Sequence, residues 1–117
     1  MFITFDLFFK EGKGYEDLIT LIKSNPKKYT FLVNKIDKID KRLRKSRNYG
    51  WTMLKHRNER FEGYVKIFKH DGECFCNIND NSGYGALTGA WLSWLVSNAY
   101  ELIYGVDIRL RNQVLIT

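Results

Sequence analysis

The chain has 117 residues, of which 44% are apolar and 15% aromatic, and it carries a net charge of +6. That length suits one domain and is too short for two cores, and folding should bury roughly 65% of the unfolded chain's surface. The apolar content excludes an intrinsically disordered chain.

The elements follow in chain order. Ile3, Phe5, Leu7 and Phe9 alternate with Thr4 and Asp6, which is the period of a strand over 2–9 rather than a signal peptide. After the loop from Lys10 to Gly14 comes a short helix. Glu16 and Asp17 stand in its first turn, where negative charge suits the helix dipole, and Leu18, Ile19, Leu21 and Ile22 form its apolar side. Asn25-Pro26 is a cap and first-turn pair that predicts a second helix over 26–47. Tyr29, Leu32, Val33, Ile36, Ile39 and Leu43 follow helical spacing there.

That segment carries the basic excess of the whole chain. Between Lys27 and Arg47 the net charge is +7, so the remainder is net −1. Such a patch implies an acidic partner, a nucleic acid or a solvated helix face. Phe31 stands among the lysines as a candidate stacking ring, and Lys35, Lys38, Lys41, Arg42, Lys45 and Arg47 are the candidate partner- or phosphate-binding residues.

Strands are predicted over 51–57 and 61–70, and Asp71-Gly72 is a strong hairpin signal leading into a strand over 73–79. This register sets Val65 opposite Ile78, Ile67 opposite Cys76 and Phe68 opposite Phe75. Cys74 and Cys76 share one face of that strand. A bridge between them would have poor geometry, so they are read as reduced thiols, which fits a cytoplasmic compartment. A polar loop over 79–85 leads into a helix over 86–104 with Gly105 as its C-cap. Val106, Ile108 and Leu110 then alternate with Asp107, Arg109 and Arg111 in a last strand.

The helix over 86–104 is apolar on nearly every side. Thr88, Ser93, Ser97, Asn98 and Glu101 argue against a membrane span. It is read as a core helix, or as one with an uncovered stripe formed by Trp91, Trp94, Tyr100 and Tyr104 that docks on a partner or on a second copy.

Chemical motifs are weak. Cys74 or Cys76 with His56 or His70 has no acidic orienter for nucleophilic catalysis. C-x-C is the wrong spacing for zinc. The run from Asn77 to Gly83 has oxygen ligands but only Asp80 as a carboxylate, and it reads as a turn leading into a helix rather than a calcium loop. Arg60, Gly63, Tyr64 and Val65 resemble positions of the RNP1 strand of RNA-recognition modules. Phe61 stands where that pattern takes glycine, and Glu62 where it takes the base-stacking aromatic.

The expectation is therefore a single α+β domain over 1–117, in the order β-α-α-β-β-β-α-β. It has a mostly antiparallel sheet of about five strands, with two to three helices on one face. The expected function is that of a small non-enzymatic protein-binding module, an inhibitor or immunity-type protein that neutralises a toxin or enzyme by direct binding, with neither cofactor nor metal. The alternatives are a nucleic-acid-binding protein using the basic helix over 26–47, and an enzyme with an unfamiliar site.

Overall fold

A computed structural model describes residues 2–24, 31–36 and 49–111. The elements are β1 (Phe2–Phe9), α1 (Tyr15–Ser24), β2 (Phe31–Ile36), β3 (Tyr49–His56), β4 (Gly63–His70), β5 (Glu73–Asp80), α2 (Ala86–Asn98) and β6 (Ile103–Arg111). The strands form one six-stranded sheet in the order β2-β3-β4-β5-β1-β6, and every pairing is antiparallel. The chain is an α+β domain with both described helices on one face of that sheet.

Two expectations need correction. Residues 31–36, expected within a long helix, form strand β2 and pair with β3, with Phe31 opposite His56 and Val33 opposite Leu54. Phe31, Leu32 and Val33 suit a half-buried pleated surface as well as a helix face, and pairing along β3 overrides the helical period. The rest of the predicted helix, with Lys38, Lys41, Arg42, Lys45 and Arg47, lies outside the described residues. The last helix also ends earlier, at Asn98, and β6 starts at Ile103, so Gly105 is a strand residue opposite Phe8 rather than a C-cap.

The inner face of the sheet is the core face. Ile3, Phe5 and Leu7 of β1 lie beside Ile78, Cys76 and Cys74 of β5, which continue to Val65 and Ile67 of β4 and to Leu54 and Thr52 of β3. All are buried. Leu18, Ile19 and Ile22 of α1 and Leu87, Trp91, Trp94 and Leu95 of α2 close over them. Trp91 and Trp94 stack in parallel with ring centroids 5.3 Å apart, and Phe31 packs edge-on against Trp91 at 5.1 Å. The β4–β5 hairpin turns on Asp71 (φ 48°) and Gly72 (φ 81°), the two left-handed positions of a type I′ turn.

α2 has no side-chain cap at its own N-cap, Gly85. Asp80, buried at the end of β5, does this work from a distance. Its carboxylate accepts from the Ser82 and Thr88 backbone N–H groups at 3.0 and 2.9 Å and from both hydroxyls, while the Ser82 hydroxyl accepts from Leu87 N–H at 2.9 Å. These bonds satisfy donors that a helix start leaves without partners. α1 is seated by its own contacts. The Gly14 N–H donates to Asp17, Tyr15 and Thr52 share a hydrogen bond between hydroxyls, and Lys69 pairs with Glu16 at 2.9 Å.

Candidate interaction face

Because side chains alternate along a strand, a sheet with helices on one side presents its other residues on the opposite side. Among the described residues no element covers that outer face. The register builds it in cross-strand rows. One row runs Trp51, Phe68, Phe75, Asp6 and Asp107 across β3, β4, β5, β1 and β6, and the next runs Met53, Lys66, Asn77, Thr4 and Arg109. Tyr64, Asn79 and Phe2 form a third. Trp51, Met53, Tyr64, Phe68 and Phe75 are half-buried, and Phe2 and Phe8 are exposed.

The side chains in these rows hold one another. Phe68 and Phe75 stack at 5.0 Å with their planes 13° apart. Two flat rings side by side in one plane would need a wider spacing, so these rings overlap face to face. The Lys66 ammonium lies 4.1 Å from the Trp51 ring centroid and 5.4 Å from that of Phe68, a cation over the negative faces of the rings. Thr4 donates to Asn77 at 3.0 Å. Arg109 reaches Asp6 at 3.1 Å and Asp107 at 3.9 Å, and so separates two carboxylates that the register sets side by side. At one end the face runs into an open groove of about 900 Å³ whose lining includes Phe8, Lys10, Tyr15, Tyr104 and Arg109.

The residues singled out from sequence are dispersed. Phe31 is fully buried between His56 and Trp91, so it is a core ring and not a stacking platform. Lys35 lies on β2 opposite Met53. Trp91 and Trp94 are core residues, whereas Tyr100 and Tyr104 are exposed at 60% and 70%. Tyr104 sits near Phe8, at the margin of the outer face, with ring centroids 6.1 Å apart. The described residues carry as many acidic as basic side chains, so the net charge of +6 resides in 25–30 and 37–48, the two connections that flank β2.

Nucleophilic chemistry finds no support in the cysteines. Burial pushes the Cys74 thiol up to about 12, and burial with the neighbouring Cys74 raises Cys76 well above its ordinary value. A thiolate is the reactive form, so burial works against nucleophilic chemistry at both. His70 and Cys76 stand on opposite faces of the sheet. His56 is half-buried, stacked on Phe61 at 4.2 Å, and its Nδ1 accepts from the Asn58 N–H at 2.9 Å. Among the described residues no three or more His, Cys, Asp or Glu side chains gather as a metal site, and no helix is long and apolar enough to cross a membrane.

Sequence reasoning missed the outer face as a site, although its signal was present. The hairpin register already set Phe68 beside Phe75, and the one-sided packing of helices implied an open opposite face. Trp51 joined them only once the β3–β4 register was known. No protein-family model, curated protein or solved structure matches the chain.

Proposed function

We propose that this chain is a non-enzymatic protein-binding module of the inhibitor or immunity type, which neutralises an enzyme or toxin by docking through the outer face of its sheet. The observation that carries this reading is the row Trp51, Phe68 and Phe75 with Lys66 beside it on a rigid scaffold. Tryptophan, tyrosine, phenylalanine and methionine are the residues that protein interfaces concentrate at their centres. The polar margin of Asn77, Asn79, Asp6 and Arg109 supplies hydrogen-bonding groups around them. Lys55 and Lys66 favour a partner whose contact surface is acidic.

Two features favour a protein over a nucleic acid on this face. Phe68 and Phe75 each give one face to the other, and Lys66 lies over Trp51, so the flat surface left for bases is reduced. The described fold is also electrically balanced, whereas a phosphate-binding surface requires a cationic excess.

The test is an affinity capture with three immobilised proteins: wild type, Phe75→Glu/Lys66→Glu, and Val96→Glu on exposed α2, each checked for folding by circular dichroism. The reading expects one partner held by wild type and Val96→Glu and lost by the double variant. Retention by the double variant would remove the outer face from the proposal. The nucleic-acid reading would take its place if mixed oligonucleotides bind at micromolar affinity, weaken about 10³-fold between roughly 50 and 200 mM salt, and fail to bind Lys38→Glu/Lys41→Glu/Lys45→Glu.

A further inference from the structure

β6 is an outermost strand of nine residues. One of its edges pairs with β1, and among the described residues nothing pairs with the other. A strand edge of this length presents a row of backbone donors and acceptors ready to extend the sheet, and natural proteins usually blunt such edges with proline, bulges or inward-pointing charge. β6 contains no proline, and its bulge, at Tyr104, leaves the stretch from Gly105 to Arg111 in regular register with β1. Ile108, opposite buried Phe5 and so on the helix side of the sheet, is 47% exposed. The edge therefore carries an apolar residue where a protective charge would be expected.

We infer that β6 is a homodimer interface: two copies of this chain pair antiparallel, edge to edge, about a two-fold axis through Ile108. The register is fixed by charge. Centred on Ile108, the pairing sets Asp107 of one protomer opposite Arg109 of its partner, and the symmetry repeats the pair. Asp107 and Arg109 are 56% and 60% exposed, and the pair across the axis adds to the contacts that Arg109 makes with Asp6 and Asp107 of its own protomer. Moving the axis to Asp107 brings two aspartates together, and moving it to Arg109 brings two arginines together. Either costs energy where like charges stand directly opposite. An axis at Val106 forms no charge pair, and one at Leu110 sets Arg109 against Arg111. Centring on Arg109 also sets Asp107 against Arg111, but only the Ile108 register pairs opposite charges without setting like charges face to face. It also places Ile108 against Ile108 on the helix side.

An antiparallel edge contact keeps both outer faces on the same side, so the dimer presents one continuous sheet surface. The inference stands independently of what that surface binds. A contact confined to one strand edge is small, so the dimer should exchange with monomer.

Sedimentation equilibrium tests this on the wild type, Asp107→Arg, Ile108→Lys and the swap Asp107→Arg/Arg109→Asp, with folding verified by thermal melts. The expected result is a wild-type dimer at about 100 µM. Asp107→Arg and Ile108→Lys should raise the dissociation constant about tenfold or more. The swap should restore dimerisation, because it regenerates the opposite-charge pair. A monomeric wild type at that concentration overturns the inference. So does a dimer that ignores the two single substitutions, or a folded swap variant that stays monomeric.

Discussion

At the scale of the single residue, His56 shows how position converts a common side chain into a pH-sensitive one. Burial beside Phe31 and Phe61 lowers its pKa from the ordinary value of 6.5. The unfolded chain therefore binds this proton more readily than the folded chain does. The stabilising contribution is fully present above about pH 6.5 and is lost as pH falls through the lowered folded value. Urea unfolding midpoints should drop between pH 7.5 and pH 5.5, and the drop should shrink in His56→Phe. An equal drop in the variant would assign the effect to other groups. The same environment explains why His56 makes a poor general base: its Nδ1 already accepts a backbone hydrogen bond, and its ring faces are held by aromatic neighbours.

At the scale of the element, α2 depends on a carboxylate that belongs to a strand. Burial alone would raise the pKa of Asp80, but the hydrogen bonds from Ser82 and Thr88 outweigh it and hold the group below its usual range. Asp80→Ala should cost about 1–3 kcal/mol, because it leaves two backbone N–H groups and two hydroxyls without their acceptor. Chemical denaturation checks this, and a change under about 0.5 kcal/mol, the scatter of ordinary surface substitutions, would show that the cap is dispensable. Which elements were legible in sequence follows from which forces are local. β1, α1 and the β4–β5 hairpin were read correctly because strand alternation, first-turn acids and Asp71-Gly72 are short-range signals. β2 was not, since Leu32, Val33 and Ile36 satisfy a helical period, and only the distant β3 decides between the two. The structural need for a glycine at position 63 was hidden for a related reason. The φ of 121° at Gly63 and the Asn79 carbonyl, 1.9 Å from where a Cβ would stand, exist only once β4 and β5 are docked.

At the scale of the whole molecule, stability should grade from the middle of the sheet outward. β4, β5 and β1 are interior strands flanked on both sides, whereas β6 is flanked on one. Native-state hydrogen exchange should find the slowest amides around Ile67, Cys76 and Phe5, opening only with global unfolding, and faster exchange along β6 in dilute protein. Equal protection of β6 and β1 in dilute protein would contradict that gradient. The strand order also bears on how the chain is made. β1 is made before the other described strands, but it sits between β5 and β6. About 60 residues separate its end from the start of β5, and at roughly 5–20 residues per second that interval lasts several seconds. Throughout it Ile3, Phe5 and Leu7, destined for the core, have neither strand neighbour. β2 to β5 are neighbours in sequence order and can pair as they are made, but β1 and β6 join only at the end, so the longest wait for a neighbour falls on the most apolar of the described strands.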